Sequence, residues 1–157
     1  MAVFLNDEEI DELVSEPKEL PADYQRRIQV RPHRGHREQE LEVKGDSGSE
    51  FLVILRQSMH NPMDFSAILG YQVPKSNVVF RLPRYNGRHG EHTNTLEHET
   101  FYDFHIHKAT ERYQQSGLRE DTFAERTDRY ADLPGAIRCL VEDCGFIEPP
   151  GTQIELA

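Results

Sequence analysis

Between residues 26 and 83 the chain breaks into short alternating or apolar runs separated by turn-forming residues, a pattern that restricts this half to an antiparallel meander. The runs are 26–31, 38–44, 51–57, 65–73 and 77–82. Phe51-Leu52-Val53-Ile54-Leu55 is apolar on both faces, which predicts a central strand. Gly45-Asp46-Ser47-Gly48-Ser49 carries the strongest turn signal.

Helices are expected at both ends. Asn6 and Glu9 have the spacing of a capping box, Ile10, Leu13 and Val14 form one stripe behind it, and Pro17 and Pro21 end the segment. Asp132, Pro134 and Gly145 read as cap, first turn and stop of a second helix over 132–144, whose Leu133, Ile137, Leu140, Val141 and Cys144 can cover one sheet face. The expected architecture is therefore α+β: a twisted antiparallel sheet of five to six strands, a short N-terminal helix over 6–15, and a C-terminal helix packed on one face. At 157 residues a single domain over 1–157 is expected, with a loose tail over 148–157.

No apolar run approaches the roughly 20 residues that span a bilayer, and the first residues lack a basic segment followed by a long apolar one. A soluble, cytoplasmic protein without a membrane partner is the expectation. Cys139 and Cys144, five apart on the second helix, suit neither a disulfide nor a zinc knuckle and read as reduced thiols. The formal charge of −10 opposes indiscriminate binding to nucleic acid. Arginine outnumbers lysine 14 to 4, which supplies forks suited to phosphate or carboxylate, although a GC-rich genome produces the same bias.

Three constellations carry chemistry. The stretch 26–37 holds five arginines, two histidines and no acid. Pairing Ile28 with Leu41 sets Arg31 opposite Glu38 and Arg27 opposite Glu42, a solvated salt ladder, and leaves His33, Arg34, His36 and Arg37 at the tip as candidate phosphate contacts. The second is the long polar connection 83–100, and five of the eight histidines lie between His89 and His107.

The third is Phe101-Tyr102-Asp103-Phe104-His105-Ile106-His107, where a period of two displays Asp103, His105 and His107 on one strand face. Hydrophobic matching pairs Leu82 with Tyr102, Phe80 with Phe104 and Val78 with Ile106, which sets Arg81 beside Asp103. Two imidazoles at i and i+2 can converge on a divalent transition metal, with a third ligand from Asp103, Glu111 or the His89, His92, His98 loop; His105, His107 and His92 are the favoured set. Without metal, the same histidines can serve as general acid and base while Arg81, Arg84 or Arg112 stabilises a phosphate. A polar strand face with histidines bonded to carboxylates remains the structural alternative.

Phe80-Arg81-Leu82-Pro83-Arg84-Tyr85-Asn86-Gly87, the histidine loop, residues 101–114, and the stretches 124–130 and 139–146 resemble an uncharacterised family of small prokaryotic proteins, a domain of unknown function. Over residues 80–107 there is a looser similarity to TumE-type toxins of toxin-antitoxin modules, in an aromatic-Arg strand end, a His-containing loop and a His-x-His strand; the loop here is longer. The leading functional expectation is a toxin-like or defence-associated phosphodiesterase or ribonuclease acting on RNA or a nucleotide. His105 and His107 serve as acid and base, Asp103 orients an imidazole, Tyr85 or Glu111 assists, and Arg81, Arg84 and Arg112, with Arg34 and Arg37, bind phosphate. The alternative is a non-catalytic binding protein, antitoxin-like or a phage-defence accessory, that recognises a protein or nucleotide through the 84–100 loop.

Overall fold

The computed structural model describes residues 3–33, 35–88 and 90–149. Arg34, His89 and most of the expected tail, 150–157, lie outside the described residues. In chain order the elements begin with α1 (Asp7–Ser15), β1 (Lys18–Glu19), the one-turn α2 (Tyr24–Arg27) and β2 (Arg31–His33). The long strands follow: β3 (His36–Lys44), β4 (Glu50–Ser58), β5 (Phe65–Gln72) and β6 (Val79–Asn86). The remainder is β7 (His92–Asn94), β8 (Glu99–Phe101), β9 (His105–His107), α3 (Glu111–Gln115), β10 (Ala124–Arg126), α4 (Leu133–Asp143) and β11 (Phe146–Ile147).

The architecture is α+β, with an antiparallel sheet in the order β10-β9-β6-β5-β4-β3-β2 and a helix at each end of the chain. Three-residue strands β2 and β10 extend the sheet at its two edges to seven strands. No helix among the described residues is long and apolar enough to cross a membrane.

Local chemistry sets the helix ends as expected. The Asn6 side chain accepts from the Glu9 N–H at 2.8 Å, and the Glu9 carboxylate accepts from the Asn6 N–H at 3.0 Å. Asp132 accepts from the Gly135 N–H at 2.8 Å, and α4 stops at Gly145, whose φ of 71° and close approach to the Ser15 and Glu16 carbonyls admit only glycine. Residues 26–31 do not form one strand. Tyr24 and Ile28 are both buried four residues apart, a helical spacing, so the segment winds into α2 before β2 begins. Arg26 and Arg27 consequently meet Asp23 at 3.0 and 3.8 Å rather than Glu42 across a ladder. The expected pairing of Arg31 with Glu38 is present.

One sheet face is the core. Leu41, Val43, Phe51, Val53, Leu55, Phe65, Ala67 and Leu69 point to it from β3, β4 and β5, and Leu133, Ala136, Ile137, Leu140 and Val141 of α4 pack against them. In β6 the alternation switches. Gly70 pairs with Arg81 but Ile68 with Arg84, so Leu69 faces both Leu82 and Pro83. Before this bulge Phe80 and Leu82 face the core; beyond it Tyr85 does, and Arg84 and Asn86 turn to the opposite face. Pro83 has no N–H to contribute to a ladder, which suits it to the bulge.

The bulge also corrects the expected hairpin register. β9 pairs Arg84 with His107, Tyr85 with Ile106 and Asn86 with His105, seven residues from the expected alignment, and Arg81 has no pairing with Asp103. Hydrophobic matching failed because Phe80 and Leu82 belong to one parity and Tyr85 to the other.

Away from the sheet, β1 and β11 pair in parallel and tie the end of α1 to the end of α4. Lys18 is fully buried there. Its ammonium donates to the carbonyls of Leu13, Val14, Glu16 and Cys144 at 2.7–3.0 Å and sits 4.4 Å from the Phe51 ring centroid. Burial pulls its pKa down to about 8, against the nearby Cys144 and Glu16, so it remains charged at neutral pH. Replacing it by Lys18→Met orphans these carbonyls and should lower the unfolding free energy by about 3 kcal/mol or more in chemical denaturation. The exposed Lys44→Met should stay within about 0.5 kcal/mol of the parent.

Candidate metal centre

β9 runs beside β6 on the side of the bulge where even-numbered residues leave the core. His105 and His107 therefore project from the sheet's second face, next to Asn86 and Arg84, while Ile106 faces the core. The β7–β8 hairpin closes over them. Asn94 makes this possible: its amide donates to the Ala124 carbonyl at 2.7 Å and accepts from the Ala124 N–H at 2.9 Å, fastening the hairpin to edge strand β10. The hairpin turn is pinned separately, through Leu96 N–H to the Tyr113 hydroxyl at 3.2 Å and through Glu97 to Tyr113 and Arg112.

This closure brings His92 onto the pair. Its ring stacks on His105 with centroids 5.1 Å apart and meets His107 edge-on at 4.8 Å; His105 and His107 are 4.9 Å apart. Phe101, buried, walls the group at 5.4 Å from His92 and 5.6 Å from His105. One nitrogen from each imidazole lies within 4.8 Å of the others, and among the described residues these three are the group of side chains placed to hold a metal ion.

Hydrogen bonds fix the protonation pattern of the rings. His105 Nδ1 lies 2.8 Å from the Asp103 carbonyl and His107 Nδ1 2.8 Å from the Asp121 carbonyl. A carbonyl only accepts, so each Nδ1 carries the proton and each neutral ring keeps its lone pair on Nε2. His92 Nε2 lies 2.8 Å from Asn94 Oδ1, whose identity as oxygen follows from its bond to the Ala124 N–H. The His92 lone pair is thereby on Nδ1. Outer hydrogen bonds of this kind orient metal-ligating histidines. A tetrahedral zinc with bonds of about 2.0–2.1 Å needs nitrogens about 3.3 Å apart, so ligation draws in whichever pair stands at the 4.8 Å limit by about 1.5 Å.

Electrostatics keep His107 neutral. Burial is the main cause, and the charges of Arg84, His105 and His92 add to it, pulling the pKa down to about 2. Arg84 lies in an ion pair with the buried Asp121, Nε to Oδ2 at 3.3 Å, and Arg119 approaches the same carboxylate at 3.9 Å. Burial raises the Asp121 pKa against both arginines. Arg84 Nε and both Asp121 carboxylate oxygens are buried without a hydrogen-bond partner among the described residues.

The other expected site residues separate. Asp103 is exposed and orients His105 through its backbone carbonyl rather than its carboxylate. Tyr85 is on the core side, its hydroxyl donating to Asp143 at 2.7 Å, and cannot reach the histidines. Glu111 opens α3, its N–H bonded to Asp7, outside the histidine group. Arg112 is taken by Glu97 and lies 5.5 Å from the Tyr113 ring centroid, so it anchors the hairpin. Arg37 is exposed on β3 in the register opposite to Glu38, on the far face from the histidines. Arg81 is near Arg84, its N–H bonded to Glu120. Asp121 was not among the expected residues, and Asn86 and Asn94 were expected only as members of the polar connection between Leu82 and Phe101, with no role assigned.

Comparison with protein-family models, curated proteins and solved structures found no match to the chain. The chemistry of the site rests on its own geometry.

A neutral folded-state His107 and an unfolded histidine near 6.5 give the unfolded chain more bound protons between about pH 6.5 and 2. Stability of metal-stripped protein should therefore be full above about pH 6.5 and fall on acidification by up to about 1.4 kcal/mol per pH unit from this group. Urea midpoints across pH 7 to 4.5 should show the decline, and His107→Asn should remove its share of the slope.

Proposed function

We propose that this protein is a metal-dependent phosphohydrolase with His92, His105 and His107 as ligands. The observation that carries the reading is the set of three hydrogen bonds that fixes a lone pair on each imidazole of one cluster. Three imidazole nitrogens on one cluster are a donor set that zinc-type catalytic sites use. A bound metal of this class lowers the pKa of water and offsets charge on a phosphoryl oxygen.

The chain's own residues supply the rest. Arg84, cross-strand neighbour of His107, offers a fixed positive charge beside the centre. The hairpin and Phe101 restrict water around the ligands. A metal-free acid–base pair is less favoured, because His107, with its pKa pulled down to about 2, holds no proton to donate near neutral pH and is too weak a base to accept one efficiently. The charge of −10 favours a small phosphorylated compound over a long nucleic acid.

Elemental analysis of untagged protein after dialysis should find close to one zinc-class ion per chain, and none in His92→Ala or His105→Ala. Asn94→Ala releases the His92 ring and should weaken metal affinity by about 10- to 100-fold in competition with a chelator. Wild-type protein that takes up no transition metal under any loading condition would sink the proposal.

A further inference from the structure

Beside the histidines, on the same sheet face, runs an open groove of about 420 Å³, within the roughly 300–1,000 Å³ range of small-molecule sites. Arg56, Arg84, Ser66, Asn86, His36 and Asp64 line it. Arg56, Ser66 and Asn86 of its lining belong to a cross-strand row in which Glu38, Arg56, Ser66, Asn86 and His105 are successive partners. The groove thus leads along one register to the candidate centre.

Both groove arginines face a carboxylate through Nε. Arg56 Nε donates to Glu38 Oε1 at 3.2 Å, and Arg84 Nε lies 3.3 Å from Asp121 Oδ2 in an ion pair without a hydrogen bond. Fastening a guanidinium at Nε directs the terminal fork elsewhere, the arrangement that receives two phosphate oxygens. Arg56 is 55 % exposed and Arg84 22 %, and both side chains line the groove. The two arginines, with Arg81 and Arg119 behind, also press electrostatically on one another in an otherwise acidic chain.

We infer that this groove binds a small oligophosphate, two or three phosphates joined by anhydride bonds, with its terminal phosphate at the histidine centre and the rest on Arg84 and Arg56. The inference rests on the metal reading of that centre. Length decides for an oligophosphate: three strand spacings separate the Arg56 and His105 backbones, about 14 Å, so one phosphate at the centre leaves Arg56 unused.

Leaving-group chemistry agrees. Water adds its oxygen to the terminal phosphorus, the bond to the bridging oxygen breaks, and one water proton goes to solvent. With three imidazoles committed as ligands, none of them donates a proton to the leaving group. A phosphate departs as an anion without one, whereas an alkoxide does not.

The test uses full-length zinc-loaded protein, with orthophosphate, inorganic tripolyphosphate and a nucleoside triphosphate as calorimetric probes and phosphate release as a second readout. Tripolyphosphate should bind at least about tenfold more tightly than orthophosphate, and Arg56→Gln should abolish that preference. Both triphosphates should release phosphate. A nucleoside triphosphate that binds more tightly than tripolyphosphate assigns the groove to nucleotides; equal affinity assigns it to the phosphate chain alone. Metal uptake with equal affinity for orthophosphate and tripolyphosphate, or a preference untouched by Arg56→Gln at an unchanged melting temperature, overturns the groove. A tripolyphosphate preference in a chain that takes up no metal keeps the groove and removes the centre.

Discussion

The extra residue in β6 decides on which side of the sheet chemistry can occur. A strand with strict alternation from Phe80 and Leu82 would carry Arg84 and Asn86 into the core and Tyr85 out of it. Opposing Leu69 with two residues reverses that parity midway. Tyr85 then fills the core, with its ring 6.3 Å from that of Tyr130 and its hydroxyl on Asp143, while Arg84 and Asn86 flank the histidines. Because β9 pairs only with the far half of β6, His105 and His107 inherit this reversed side. One inserted residue separates an aromatic interior from a polar site.

The second constraint is the burial of Lys18. Two helices end close together, and their last carbonyls need donors that water cannot provide in an interior. A single ammonium serves carbonyls from both ends and also faces the Phe51 ring. It couples the first helix to the last, fixing how α4 lies on the core face. The opposite face is left to the short hairpin β7–β8, which is anchored to Ala124 and to Tyr113 and is independent of α4.

What the sequence made legible follows from which signals are local. The caps at Asn6 and Asp132, the stop at Gly145 and the interior strand through Phe51 to Leu55 depend on near neighbours, and all four are present. The His-x-His spacing likewise placed two of the three imidazoles that lie close enough to hold a metal ion, and the loop histidine chosen with them, His92, is the third. The register of β6 against β9 was illegible because one bulge shifts parity without changing composition. Tyr24 to Arg27 misled for a related reason: Ile28 and Val30 alternate, but Tyr24 and Ile28 also fit one helical turn. Asp121 had no pattern to betray it, since its carbonyl and carboxylate serve His107 and Arg84, both distant in sequence.

The histidine site also explains why a polar segment from His92 to Phe101 is ordered at all. A short hairpin is marginal alone, and this one offers few apolar side chains. Its stability derives from contacts that double as orientation of an imidazole: Asn94 bonds the β10 backbone and, through the same amide, dictates the His92 tautomer. Folding of the hairpin and assembly of the cluster are therefore one event. Metal binding that favours the closed hairpin must, by linkage, stabilise the edge strand β10 as well, because Asn94 is shared between them.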